Sequence, residues 1–160
     1  SCPVPSTVAK AGVVVQVGLT DILFGARYST VDGRSVQGRP YVFSAKDRTV
    51  LLFWDDPQPQ AGASFSWCVR SAGDLNKDNI PDDLIGAPYQ DVGANTAEGA
   101  VFAHSDKDGP VLLTLLDPVS RPNAGFGWYL AAREDVNTDG IPEILVGARF
   151  QSVDEFHVQS

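Results

Sequence analysis

Positive charge is scarce in this sequence: 12 Lys and Arg stand against 20 Asp and Glu, a formal net charge of −8. A nucleic-acid partner is therefore not expected, because phosphate binding needs a basic surface. An anionic membrane surface is not expected either, on the same ground. Long apolar runs are missing too, and none approaches the roughly 20 residues that carry a helix across a bilayer. No long stretch has clean helical periodicity. Cysteine is limited to Cys2 and Cys68, which leaves one disulfide and a buried free thiol beside Trp67 equally open. No histidine lies near Cys68 in sequence to activate it. His104 and His157 are the only histidines, and His104 reads as a partly buried strand residue rather than a catalytic or metal-binding one. There is no Gly-x-Ser-x-Gly elbow, His-Glu-x-x-His pair or phosphate loop, so catalysis is not expected; there is also no Arg-Gly-Asp recognition triplet. No signal peptide is visible, and the abrupt start at SCPVP is what a removed leader or an imposed boundary leaves.

What is present is an ordinary globular composition, 43% apolar and 20% charged over 160 residues. A chain of this length reads as one domain, 1–160, able to bury roughly 70% of its unfolded surface. Fifteen Gly and eleven Pro imply many turns. Frequent Val with no helical period favours an all-β chain.

The sequence repeats itself. DLNKDNIPD (74–82) and DVNTDGIPE (135–143) align at a shift of 61 residues, from Asp74 to Asp135. The same shift pairs Phe65 with Phe126, Trp67 with Trp128 and Gly86 with Gly147. Shifted backwards, Gly86 meets Gly25 and Asp82 meets Asp21, so DILFGARY (21–28) is a third copy. That copy carries VVVQVG (13–18) where the others carry acidic residues, and is read as a strand framework that has lost its ion. Within the middle copy, FSWCVR (65–70), DLIGA (83–87), AVFAHS (100–105) and PVLLTLL (110–116) read as strands, with DKDG (106–109) as a tight turn. The first copy gives VVVQV (13–17), DILFGA (21–26), RPYVFSA (39–45) and TVLLFW (49–54); the third gives GFGWYLAA (125–132), EILVGA (143–148) and EFHVQS (155–160). Four antiparallel strands per period are the pattern of propeller blades. The expectation is about 2.5 to 3 blades, in units of about 11–60, 61–121 and 122–160, with the N-terminal CPVPSTVAK as a candidate edge strand for the incomplete third unit.

Each acidic stretch puts an oxygen-bearing side chain at alternate positions: Asp74, Asn76, Asp78 and Asp82 in one, Asp135, Asn137, Asp139 and Glu143 in the other. Crowded carboxylates repel, so something must compensate. The alternation matches a calcium loop, with side-chain oxygens from positions 1, 3, 5 and 9 and a backbone carbonyl from position 7, Ile80 or Ile141. Position 6 must turn sharply, which suits Gly140 and, next best, Asn79. Two Ca²⁺ ions are thus expected. Asx-capped turns explain one such loop but do not require this spacing twice. An EF-hand is rejected, because position 12 is Ile85 or Val146 rather than Glu and strands flank both loops.

The strings FSW…DLNKDNIPDDLIGAPY and FGW…DVNTDGIPEILVGARF resemble FG-GAP repeats, the blade units of the integrin α-subunit propeller. The likeness covers residues about 13–160 and includes Phe126-Gly127 and Gly86-Ala87-Pro88. Departures are Ser66 for Gly, Arg27 and Arg149 for Pro, Glu143 for the usual Asp, and the missing ligands of the first copy. The resemblance implies a seven-bladed ring, of which this chain supplies fewer than three blades. It is therefore a piece of a larger propeller, a closed assembly of several copies, or a head-to-tail filament, with self-association favoured. The implied function is a non-catalytic, calcium-binding extracellular or cell-surface module for adhesion, binding or assembly, with a protein or glycan ligand held by loops such as 28–38 and 89–99. Two alternatives are a sugar-binding propeller lectin and an accessory fragment of a secreted enzyme. Trp54, Trp67 and Trp128 would be the sugar platform of a lectin, but the repeat-equivalent Trp67 and Trp128 read better as packing residues, as do Tyr89 and Phe150.

Overall fold

The computed structural model describes residues 7–10, 21–107 and 109–151. Among these, strands β1 (Thr7–Lys10), β2 (Ile22–Ala26), β3 (Arg39–Phe43) and β4 (Val50–Phe53) form one antiparallel sheet in that order. β5 (Cys68–Gly73), β6 (Asp82–Ala87), β7 (Ala100–His104) and β8 (Val111–Leu116) form a second. β9 (Phe126–Ala132) and β10 (Ile144–Ala148) pair as a third. No helix occurs among the described residues. β3 and β7 start at 39 and 100 and end at 43 and 104, a common offset of 61.

Two expectations about strand placement are corrected. The strand that pairs with β2 is Thr7–Lys10, in register Thr7↔Gly25 to Lys10↔Ile22. It belongs to the first sheet and does not complete the third. The run 13–18 lies outside the described residues, as does EFHVQS. In the second sheet, β5 begins at Cys68 rather than Phe65. Ser64 and Ser66 hold left-handed φ of 52° and 76°, outside the extended region of a regular strand. Gly127, the repeat partner of Ser66, has φ of 88°. A Phe-Gly pair thus serves this bend without side-chain strain, whereas Ser66 accepts it.

The sheets stack face to face. Leu23, Val42 and Trp54 of the first pack on Phe65, Val69, Ile85 and Phe102 of the second. Leu84, Val101 and Ala103 of the second pack on Phe126, Trp128 and Leu130 of the third. Burying each such large apolar side chain contributes about 1.5–3 kcal/mol. β6 and β7 are buried along their whole length, as expected of a sheet covered on both faces. The loop after each second strand also ties its sheet to the next. Phe65 N donates to Gln37 O (2.7 Å) and Phe126 N to Glu98 O (2.8 Å). These bonds draw Gly38 and Gly99 against the Phe65 and Phe126 backbones, with no room for a Cβ.

Candidate metal centres

Both acidic stretches form the turn at one end of a hairpin, between β5 and β6 and between β9 and β10. Their internal bonds match. Asp74 Oδ1 accepts from Asp78 N (3.0 Å) and its Oδ2 from Asn79 N (2.7 Å). Asp135 does the same with Asp139 N (3.1 Å) and Gly140 N (2.7 Å). Asp78 Oδ1 accepts from Ile80 N (2.9 Å) and Asp139 Oδ1 from Ile141 N (2.8 Å). Positive φ falls at position 6, Asn79 (67°) and Gly140 (84°), as expected, and also at position 4, Lys77 (63°) and Thr138 (65°). Backbone amides therefore supply part of the compensation the carboxylates need.

The ninth position separates the loops. Asp82 is fully buried; its Oδ2 accepts from Leu75 N at 2.7 Å, while its Oδ1 has no partner. Glu143, one methylene longer, reaches further: Oε2 accepts from Val136 N (2.7 Å) and Oε1 from Asn137 N (3.4 Å). Burial, with the charges of Asp78 and Asp74, pushes the Asp82 carboxyl up to about 6. A buried carboxylate oxygen without a donor, in an all-oxygen loop, fits a hard divalent cation. The loop 74–82 fits it better than the more exposed loop 135–143. Among the described residues, no group of three or more His, Cys, Asp or Glu could hold a metal ion. A site here therefore needs the Asn and carbonyl oxygens as well as the carboxylates.

Proteins similar to this chain carry one family name. It is 41% identical over 91 residues to integrin alpha pat-2 of Caenorhabditis elegans, covering 52% of this chain and 7% of that protein. It is 29% identical over 140 residues to integrin alpha-3 of Cricetulus griseus (82% and 13%). It is 28% identical over 145 residues to integrin alpha-6 of Homo sapiens (87% and 12%). Over most of its length the chain is similar to integrin α subunits. No family model matches it. It spans no more than 13% of these integrin α relatives.

Beneath the first acidic loop of this integrin α-like chain lies a group of acids that the repeat does not share. Asp83 stands where the other copies have Ile22 and Ile144. Asp83 and Asp106 are buried, and their carboxyls meet each other with no amide or basic group donating to either. Burial first, then the charge of Asp106, holds the Asp83 carboxyl well above its ordinary value. Burial pushes Asp106 up to about 7 and Asp56 up to about 6. His104 is buried, as expected, and held down to about 4 by that burial. Its ring packs on Trp54 (5.5 Å) and Phe65 (6.2 Å). Asp108 lies outside the described residues.

These shifts give ion-free stability a sign. A protonated carboxyl with raised pKa contributes stability that is complete below about pH 4. That contribution is lost as pH rises through about 6 for Asp82 and Asp56 and about 7 for Asp106. His104 acts oppositely, but only below its unfolded value of 6.5. In chelator, the melting temperature is therefore expected to be higher at pH 6.5 than at pH 8, by thermal melts monitored by circular dichroism.

At the other end of the β5–β6 hairpin, Trp67 and Trp128 lie 4.3 Å apart, with Tyr89 within 5.6 Å of both. Arg27 and Arg149, which replace the family's Pro, stack on Trp67 (3.7 Å) and Trp128 (4.5 Å). All three tryptophans are buried, so they are packing residues and no open platform for sugar. Phe150 packs on Trp128 at 5.4 Å but stays 56% exposed. Cys68 is disulfide-bonded, which settles its chemistry; Cys2, the only other cysteine, lies outside the described residues.

Proposed function

We propose that this chain is a calcium-stabilised, non-catalytic portion of an extracellular, adhesion-related propeller. The observation that carries the reading is the pair of acidic loops with matching backbone bonds, one of them holding the donorless Asp82 Oδ1. Asp74, Asn76, Asp78, Asp82 and the Ile80 carbonyl would hold one ion; Asp135, Asn137, Asp139, Glu143 and the Ile141 carbonyl would hold the other. Calcium would supply charge neutralisation, taking the net charge from −8 to −4 (−8 + 2 × 2), and would fix each turn. The integrin α relatives support a cell-surface setting, where millimolar calcium suffices for weak sites. Asp74→Ala and Asp135→Ala are each expected to lower the melting temperature in calcium and to change it little in excess chelator. Equal losses in both conditions would remove metal ligation from the account.

The same reading assigns partners to the outer sheet faces. Ile85 and Phe102 are buried under the first sheet; their repeat partners Phe24 and Tyr41 lie on the first sheet's outer face, beside the exposed Ile22, Val50 and Phe53. Cys68 and Leu84 are buried under the third sheet; their partners Tyr129 and Leu145 are 42% and 44% exposed. Each face is thus the counterpart of one already covered within the chain. Both would be covered by further sheets of the same kind, and exposed faces of this type invite association. Native mass spectrometry assigns the source: a species above the 17.1 kDa monomer assigns these faces to a second copy, and a monomer assigns them to a longer chain.

A further inference from the structure

Two lysines are placed where a cation would act on the loops. Lys77, at position 4 of the first loop, crosses to the second and donates from Nζ to the carbonyl of Asp139 at 2.9 Å. The ammonium passes close to Gly140, where a Cβ would sit 3.3 Å from it. A second contact joins the loops nearby, where a Cβ on Gly73 would come within 3.0 Å of Pro142. Lys107, in the turn between β7 and β8, places its Nζ 3.8 Å from Asp78 Oδ2 of the first loop. Each acidic loop therefore has one ammonium brought to it by a different segment of the chain.

The geometry points to Lys77 and Lys107 as resident counter-cations that set the calcium affinity of the two loops. The inference rests on the calcium reading above and adds its regulation. Without a metal, three carboxylates share each loop, and a nearby ammonium offsets part of their repulsion. A divalent cation held by the same loop would be repelled by that ammonium. Each lysine thus favours the ion-free loop and weakens calcium binding, which keeps the sites in the weak range suited to millimolar calcium. Because Lys77 is part of the first loop and touches the second, it also links their occupancies.

The test is calorimetric titration of the whole chain with calcium chloride, at low and at physiological ionic strength, for the wild type, Lys77→Met, Lys107→Met and Lys77→Arg. Methionine keeps the stem and removes the charge. Each Met variant is expected to bind calcium about three-fold or more tighter at low salt, with the gain shrinking at physiological salt; Lys77→Arg should match the wild type. Unchanged or weaker affinity in both Met variants, with calcium still binding, overturns the inference and leaves the calcium reading intact. Melting in chelator is the second readout: the Met variants should be less stable there than the wild type, most clearly at low salt. If the wild type takes up no calcium, the calcium reading fails and the inference about affinity fails with it, even where that loss appears. If neither appears, both fall.

Discussion

Gly99→Ala is expected to abolish cooperative folding. Gly99 has φ of 92°, a conformation that costs a residue bearing a Cβ about 1–2 kcal/mol. Its added methyl would overlap the Phe126 carbonyl and lie 2.6 Å from the Phe126 amide nitrogen. Neither backbone is free to retreat, because Phe126 N is bonded to Glu98 O at 2.8 Å. Forcing the sheets apart would also loosen the packing of Trp128 and Leu130 on Leu84 and Val101. Overpacking of this kind costs about 1–3 kcal/mol where atoms can relax, and more where they are fixed backbone. The total approaches the 5–15 kcal/mol that typically holds a domain folded. Gly33→Ala is the control. Its φ is 79°, but nothing lies within 4 Å of the new methyl, so only the conformational cost of about 1 kcal/mol applies. Urea denaturation should give no folded baseline for Gly99→Ala and a modestly shifted midpoint for Gly33→Ala. Equal midpoints would contradict the close approach of the second and third sheets.

Removing calcium is expected to produce the second large effect. A ligand at ten times its dissociation constant stabilises the folded state by about 1.4 kcal/mol. Two weak extracellular-type sites in millimolar calcium would therefore contribute about 3 kcal/mol together. For a chain of this size, chelation should lower the melting temperature by about 6–12 °C. The loss should be smaller at pH 6.5 than at pH 8, because protons then compete with calcium for the Asp82 carboxyl, which burial holds near 6. Melts in calcium and in chelator at both values check the size and the sign. Magnesium, which tolerates only near-ideal octahedral geometry, should restore less of the loss than calcium.

The strands and acidic turns were legible in the sequence because they recur. Matching Asp74 with Asp135 and Gly86 with Gly147 cancels accidents of local composition and leaves the framework. For the first strand, local apolarity and the repeat point to different segments. VVVQV looks more like a strand than TVAK, yet Cys68 shifted back by 61 falls on Thr7, where β1 begins. The bend at Ser66 was hidden because only the third copy has the glycine that announces it. The tie between Gly99 and Phe126 also recurs, as Gly38 with Phe65, but glycine pairs mean little until the facing backbone is known.

The sites were legible in part. The alternating oxygens and the left-handed residue at position 6 were readable. Asp83 also carried a signal, since it replaces an isoleucine of the other copies; only its burial beside Asp106 gives that difference meaning. Lys77 and Lys107 carried none, because their roles depend on contacts with residues 62 and 29 positions away. The unlike partners of Asp82 and Glu143 were foreshadowed by one extra methylene, but which amide each oxygen would reach depends on the fold.

Counting calcium addresses the central claim most directly. Equilibrium dialysis of the whole chain at millimolar calcium, with metal and protein measured in the same sample, should find two ions per chain. Asp135→Ala should reduce the number to one, retaining the ion of the better-buried loop 74–82. A wild-type chain that retains none at that concentration would contradict the account.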